Sequence, residues 1–350
     1  MNLCPARLEP IFSPRPWGAL SLAPFFPEKT NLPEPLGEAW LTGNDCVFAS
    51  GPYAGKKLAD AWREMPAEWK GASKSGNGSF PLLVKFLFVE DKLSVQVHPD
   101  DEYAARHEQA TGGRGKTEMW YAIRAREGAE VMVGLKASVD LEKFRRSIAD
   151  GTTENCLEHI PVHAGDAIFV PAGTAHTIGP GLVLCEIQEN SDITYRVYDY
   201  NRRDARGQAR ALHIEKALAV MRFGEQKGRK VEPVRVECDS ATTTYLAACR
   251  YFVTEKWVFD KKTAPNVQPG RFELLIFLEG DGEIHWGREQ AEYRPAQVWL
   301  IPAALGACEL KPASRSELLR TYVPDDLDEF ERHLTSQGIS KARTSHLVHL

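Results

Sequence analysis

The sequence predicts a mainly β protein made of two β-sandwich halves with a few short helices. Three observations lead there. Short runs of β-branched and aromatic residues recur along the chain, separated by Gly- and Pro-containing turns, as in sandwiches and barrels. A degenerate internal repeat relates the first part of the chain to the last. The length, 350 residues, suits two units, since one domain takes roughly 100–200 residues.

The first series of expected strands is Phe80–Glu90, Leu93–His98, Glu118–Ile123, Glu130–Val133, Ala167–Val170 and Leu182–Gln188. A second series follows at Thr243–Cys249, Tyr251–Val258, Phe272–Leu278, Gly282–Trp286 and Gln297–Ile301. Helical spacing of apolar residues marks Ser138–Ile148, with Ser138 as the N-cap, and His213–Met221. Leu58–Trp69 and Asp325–Leu334 are further helices, and for the tail after Ser336 disorder and an expression remnant stay open, since composition does not decide. The repeat is anchored by Glu118-Met-Trp-Tyr and Val170-Pro-Ala-Gly-Thr-Ala-His176 in the first copy. Glu273-Leu-Leu-Ile and Ile301-Pro-Ala-Ala-Leu-Gly-Ala307 match them in the second. His176 therefore corresponds to Ala307, so the second copy keeps the shape and loses the chemistry. The expected division is 1–222 as a metal-binding half with helical insertions, 223–235 as linker, 236–325 as a degenerate half without metal, and 326–350 as helix and tail.

Apolar residues at 43% and charged residues at 26% are ordinary for a soluble globular chain. A formal net charge of −5 argues against a nucleic-acid or membrane-surface binder, though not against a local basic pocket. Met1–Pro16 lacks the apolar core of a signal peptide, and no run approaches the roughly 20 apolar residues of a membrane span. The seven cysteines (Cys4, Cys46, Cys156, Cys185, Cys238, Cys249 and Cys308) form no CxxC pair and read as reduced, buried thiols in a cytoplasmic protein. No protein partner is implied.

The chemistry concentrates in a few segments. Gln96 and His98 are two apart on an expected strand and share a face. Glu118 opens the next strand after Gly115-Lys-Thr. His176 ends a turn whose Pro and Gly force a sharp exit. Two imidazoles, a carboxylate and an amide oxygen suit zinc, with manganese, iron, cobalt or nickel possible by donor type. The absence of a thiolate points to a catalytic site with an open position.

The matching segments are Pro81-Leu-Leu-Val-Lys-Phe-Leu, Leu93-Ser-Val-Gln-Val-His-Pro-Asp-Asp101, Gly115-Lys-Thr-Glu-Met-Trp-Tyr121, Val170-Pro-Ala-Gly-Thr-Ala-His176 and Glu186-Ile-Gln-Glu-Asn-Ser-Asp-Ile-Thr-Tyr-Arg-Val-Tyr-Asp-Tyr200, with Trp17-Gly18 and Gly37-Glu-Ala-Trp40. In this order the chain resembles the type I mannose-6-phosphate isomerases, in their short bacterial form, over most of residues 8–325. The resemblance implies two cupin-like (jelly-roll) halves. It implies one zinc per chain held by Gln96, His98, Glu118 and His176, and active-site roles for Lys85, Lys116, Glu186 and Arg196. It also implies reversible conversion of mannose 6-phosphate to fructose 6-phosphate. Ala19 stands where many members carry a second Gly after Trp-Gly.

Moving a proton between C1 and C2 through a cis-enediol calls for charge stabilisation and a base. Arg196 is assigned to the enediolate charge. Glu186, Lys116 and an unligated His are the candidates for proton handling, with Glu186 ranked first, and a Glu186–Arg196 salt bridge is the structural alternative. Lys85, Ser94 and Lys116 are the candidates for the substrate or its phosphate. Lys85, in an apolar strand, needs a buried acid partner, Glu38 or Glu118. Asp100-Asp101 reads as a turn and cap, and Gln109–Gly115 as a candidate lid. Competing readings are another sugar-phosphate isomerase, a metal-dependent dioxygenase, and a non-catalytic sugar-binding cupin. Retention of both Glu186 and Arg196 argues against the last.

Overall fold

The computed structural model describes residues 2–71, 78–203, 207–224, 228–237, 239–264 and 270–349. Cys238 and part of the expected linker 223–235 lie outside them. Two large antiparallel sheets occupy the middle of the molecule. The first runs through Arg229–Lys230, Ala167–Val170, Glu118–Ala125, Leu182–Glu189, Leu82–Val89, Leu36–Trp40 and Ile11–Ala19. The second runs through Ala6–Leu8, Val298–Ile301, Glu273–Glu279, Ser316–Tyr322, Val253–Phe259, Thr242–Cys249 and Val234–Glu237. The central strands occur in the same order in both sheets, so the repeat read from sequence is a repeat of topology. A five-stranded sheet (Tyr195–Tyr198, Val95–Val97, His176–Ile178, Glu130–Leu135, Leu157–Pro161) closes the first sandwich, and a three-stranded one (Glu289–Tyr293, Gly282–Trp286, Cys308–Pro312) closes the second.

Strand alternation explains both the apolar runs and the polar residues inside them. Every residue of Leu82–Val89 is buried. Leu82, Val84, Phe86 and Phe88 pack into the core between the two large sheets, while Leu87 and Val89 face the interior of the first sandwich. Lys85 shares the inward face of Leu87 and Val89, because side chains two apart on a strand point the same way. On the neighbouring strands Met119, Tyr121, Cys185 and Ile187 enter the same inter-sheet core. Trp120 and Leu184 turn inward, and Glu118 and Glu186 turn inward with them. Both faces of these strands are covered, so the sequence shows continuous apolar runs in which each inward polar residue is an exception.

The chain crosses between halves more than the expected division allows. Ala6–Leu8 pairs with Val298–Ile301 in the second sheet, and Arg229–Lys230 pairs with Ala167–Val170 in the first. The tail is ordered: it forms a short helix at Lys341–Thr344 and a strand, Val348–His349, that pairs parallel to Ala248–Cys249, with the His349 ring stacked 3.7 Å from that of Phe169. Expected helix starts shift toward the true caps. Asp140, not Ser138, accepts the Lys143 amide at 2.7 Å, and Asp326 caps Leu327–Ser336. Pro66 breaks the expected Leu58–Trp69 helix into Leu58–Glu64 and Ala67–Lys70. Ile11–Ala19 was hidden by Pro14 and Pro16, which an edge strand tolerates. Ser316–Tyr322 was hidden by its charged residues. Among the described residues no helix is long and apolar enough to cross a membrane.

The second sandwich carries a buried ion cluster at the place where the first carries its polar centre. In the ladders Lys85 lies opposite Glu186 and Glu255 opposite Arg320, so the two pairs are topological counterparts with their charges exchanged. Glu118 and Glu273 are counterparts of like charge, each beside the strand that ends at Pro171 or Pro302. Arg320 Nε donates to Glu273 Oε2 at 2.8 Å, its Nη2 donates to Glu273 Oε1, and its Nη1 lies 3.4 Å from Glu255 Oε2. Trp257 and Tyr322 donate to the Glu255 carboxylate at 2.9 and 3.2 Å. A guanidinium thus supplies the cation that Glu273 needs. Replacing Arg320 by Ala strands buried carboxylates, and urea unfolding is expected to give a loss of about 3–5 kcal/mol. A loss within the range of an exposed pair, about 0–1 kcal/mol, would contradict this reading.

Candidate active site and metal centre

Four segments far apart in the chain converge at one end of the first sandwich. Gln96 lies between two ladder partners, His176 on one side and Arg196 on the other. His98 follows two residues later. Glu118 opens its strand opposite Val170, and the Pro171–Ala175 turn, with Gly173 at φ 82°, brings His176 back toward it. The imidazole rings of His98 and His176 are 4.8 Å apart, and ligand atoms of His98, Glu118 and His176 all lie within 4.8 Å of one another.

The hydrogen bonds around these rings fix what they offer. His98 Nδ1–H donates to the Ile193 carbonyl at 2.7 Å, and His176 Nδ1–H to the Thr174 carbonyl at 2.9 Å. Each ring therefore keeps its Nε2 lone pair, and these lie 3.6 and 3.4 Å from the Glu118 carboxylate oxygens. Burial, reinforced by the Lys116 charge, pushes the His98 pKa well below its ordinary value and that of His176 down to about 4. Both rings are neutral at pH 7, the form that binds metals. Backbone carbonyls that fix the tautomer are the usual support of a metal-ligating His. Glu118 is fully buried, and its Oε1 has no hydrogen-bond partner among the described residues. The Gln96 amide terminus is 3.3 Å from His176 Nε2, and half a turn about its last bond presents the oxygen there. This donor set fits a borderline divalent cation. Lys116 Nζ donates to Glu118 and lies 3.1 Å from His98 Nε2, so it approaches lone pairs that an ion would take.

A cleft of about 480 Å³ lies beside this group, lined by its neighbours Gln96 and Lys116, while His98, Glu118 and His176 are buried behind it. Of the residues expected from sequence, Lys85, Ser94, Gln96, Lys116, Glu186 and Arg196 line it. Glu186 is 5% exposed. It accepts from Trp120 Nε1 at 3.2 Å and lies 3.7 Å from Lys85 Nζ and 3.8 Å from Lys116 Nζ. Its partners are thus the two lysines and the indole, where the sequence suggested Arg196. Burial raises its pKa, helped by Glu118 and opposed by the Lys116 charge. Lys85 pairs with neither expected acid directly; Asp192 Oδ1 holds it at 2.8 Å, and its ammonium lies 4.4 Å above the Trp40 ring. Burial would lower its pKa, but the carboxylates of Asp192, Glu38 and Glu186 outweigh that and raise it. Its charge is already matched, which disfavours Lys85 as a free phosphate ligand.

Arg196 donates from Nη1 to the Ala211 carbonyl at 3.0 Å, and its buried Nε has no partner among the described residues. Arg15 and Arg210 line the same cleft and were not singled out from sequence. Arg15 sits between two prolines in an edge strand, and Arg210 in a loop after the Tyr195–Tyr198 strand, so neither carries a local signal. Asp192 lay inside a quoted segment, but its pairing with Lys85 is a tertiary contact. The expected lid Gln109–Gly115 forms a short 3-10 turn at Gln109–Thr111, and Gly115 at its end is tied to Asp101 by a 2.9 Å hydrogen bond.

Two jelly-roll sandwiches with a His–Glu–His group in the mouth of the first define a cupin with a candidate metal centre. A family model described as phosphomannose isomerase type I, catalytic domain, matches residues 7–129. The mannose-6-phosphate isomerase of Streptococcus mutans is 40% identical over 273 residues, covering 77% of this chain and 83% of that protein. The crystal structure of the Bacillus subtilis mannose 6-phosphate isomerase superposes with a TM-score of 0.82 at 31% identity, covering 91% of this chain and 99% of that one. A mannose 6-phosphate isomerase crystallised with zinc and yttrium shares the fold at 17% identity, with a TM-score of 0.69 and coverage of 91% and 99%. The chain belongs to the type I phosphomannose isomerase family, whose members are aldose–ketose isomerases.

Exchanging one donor tests the centre without disturbing the core. His176→Ala is expected to lose bound divalent metal after gel filtration while its circular dichroism and unfolding midpoint stay near the wild-type values, because Ala307 fills the corresponding place in the second half. Full metal retention would mean that His176 is not a ligand.

Proposed function

We propose that this enzyme interconverts mannose 6-phosphate and fructose 6-phosphate through a cis-enediol(ate), with one zinc held by Gln96, His98, Glu118 and His176. The observation that carries the reading is the clustering of His98, Glu118 and His176 beside a cleft lined by Gln96, Lys116, Glu186 and Arg196. The nitrogen and oxygen donors suit zinc, and the isomerase crystallised with zinc supports that choice. When bound, the ion would polarise or orient the sugar oxygens.

The chain's own groups account for the remainder. In the direction from aldose to ketose, the C2–H proton passes to a carboxylate. The released pair forms the C1–C2 double bond, and charge collects on O1. Protonation of O1, loss of the O2 proton and return of the carried proton to C1 give the ketose, with no net gain or loss of protons or electrons. Glu186 fits the carrier of the carbon-bound proton: it is buried, its pKa is raised, and it faces the cleft. Lys116, between Glu118 and Glu186, is placed to exchange a proton with a sugar oxygen. Arg196 is a fixed positive charge for the enediolate, and Lys cannot reproduce its planar fork. Arg15, Arg210 and Ser94 join the candidates for the phosphate; like the lysines, Arg15 and Arg210 already hold carboxylates, Glu38 and Asp199.

Formation of fructose 6-phosphate from mannose 6-phosphate, followed by a coupled assay, tests the reading. Turnover is expected, lost on thorough chelation and regained with zinc. No turnover with zinc restored would favour a binding protein, and turnover unaffected by metal removal would end the metal role.

Glu186→Gln is expected to keep its metal and lose about 10²–10⁴-fold in kcat. If Glu186 must be ionised, kcat is full above its pKa and falls as pH drops through it. Because burial raises that pKa, the acid limb should lie above the ordinary Glu value of about 4.3. A normal kcat with a raised KM would make Glu186 a binding residue instead.

A further inference from the structure

The second half lacks the metal ligands, yet the tip of its Thr242–Phe259 hairpin reaches the catalytic segment of the first. Tyr251 Oη donates to Asp101 Oδ2 at 2.8 Å, and Arg250 Nη2 lies 3.4 Å from the same oxygen. Arg250 also donates to Tyr251 Oη, and its guanidinium sits 4.7 Å from the Tyr251 ring centre. Next in the turn, Phe252 packs 6.3 Å from Phe169, on the strand that leads to the Pro171–His176 turn.

Asp101 passes this contact on. Its Oδ1 accepts the Gly115 amide at 2.9 Å. It also lies beside the Glu189 carboxyl, whose pKa is raised by burial first and by the Asp101 charge second. Glu189 Oε1 in turn accepts the Thr117 amide at 2.8 Å. The Lys116 amide between them donates to the Pro99 carbonyl at 3.0 Å. Two of the three amides before Glu118 thus end on a pair of carboxyls, one of which is gripped from the other half of the protein. The fit is close: a Cβ at Gly115 would stand 2.6 Å from the Asp101 nitrogen. At the end of this braced segment Lys116 Nζ meets Glu118 and His98.

We propose that Tyr251 and Arg250 are positioning residues for the isomerisation, holding the Gly115–Glu118 segment through Asp101. The degenerate half then contributes to catalysis as a brace, and its hairpin tip sets where Lys116 and Glu118 stand. The proposal rests on the isomerase reading given above. Tyr251 does not line the cleft. Its effect reaches the reaction through Asp101, Gly115 and the Glu189–Thr117 bond. Misplacing a catalytic group slightly lowers kcat more than it alters binding.

Tyr251→Phe keeps the ring and deletes the one donor. Its kcat on mannose 6-phosphate is expected to fall roughly three- to tenfold, the worth of one hydrogen bond, with KM changed by less than about twofold. Metal content should be unchanged, and hydrogen exchange at the Gly115 and Thr117 amides should quicken. Tyr293→Phe serves as the control. It deletes a different tyrosine hydroxyl of the second half, a buried one bonded to Ser316 at 2.9 Å, and should leave kcat and those two amides as they are. Combining Tyr251→Phe with Asp101→Asn should cost no more than Asp101→Asn alone, because the two act in series. An unchanged kcat and unchanged exchange in Tyr251→Phe would overturn the brace, as would equal losses in Tyr293→Phe. If the wild-type protein failed to turn over mannose 6-phosphate, the isomerase reading would fail, and amide exchange would still decide whether the brace exists.

Discussion

A carboxylate buried without a full set of partners constrains the rest of this structure. Glu118 is 0% exposed, and removing an ionised group from water is costly unless an opposite charge or a metal repays it. Lys116 and the lone pairs of two neutral imidazoles stand around it, while one of its oxygens has no hydrogen-bond donor among the described residues. The second half solves the same problem differently. There the counterpart Glu273 receives two donors from the Arg320 guanidinium, and His176 is replaced by Ala307. One architecture therefore holds an inward carboxylate in two ways. The first leaves coordination for an ion and room for a substrate, and the second fills the place with a side chain.

That difference separates function from scaffold in the two halves. In the first, the inward polar residues Lys85, Glu118 and Glu186 sit on adjacent strands, and Lys85 and Glu186 face a cleft that also collects Arg15, Arg196 and Arg210. In the second, Glu255, Arg320 and Glu273 occupy corresponding ladder positions and satisfy one another. The cavity beside them, about 260 Å³, is smaller than the cleft. The large sheets pack back to back through one apolar core. Ala6–Leu8 joins the second sheet and Arg229–Lys230 the first, so the halves are locked together and a contact such as Tyr251–Asp101 can be held at fixed distance.

The sequence disclosed the parts of this arrangement that are local. Val95 and Val97 alternate with Gln96, so the face of Gln96 and His98 could be read from period alone. The Pro-Ala-Gly-Thr turn before His176 needs a left-handed residue, and Gly173 supplies it. The apolar runs at Leu82–Val89 and Leu182–Glu189 made Lys85 and Glu186 conspicuous. What stayed hidden is set by tertiary contact. Asp192 becomes the partner of Lys85 only because a loop folds back over the strand, and Arg15 and Arg210 reach the cleft from segments without periodic pattern. The Ser316–Tyr322 strand escaped notice because Arg320 and Glu317 interrupt its apolar character, although Arg320 faces inward for the same reason as Lys85. The ordered tail depends on a parallel pairing with Ala248–Cys249 that two residues of sequence cannot announce.

The account stands on one ion shared by Gln96, His98, Glu118 and His176. Anomalous diffraction from zinc-loaded crystals, recorded on both sides of the zinc absorption edge, measures that directly. One peak per chain is expected, about 2.0–2.2 Å from Nε2 of each imidazole and from a Glu118 oxygen, with the Gln96 oxygen turned toward it. A peak elsewhere in the chain, with these four side chains uncoordinated in fully active enzyme, would contradict it.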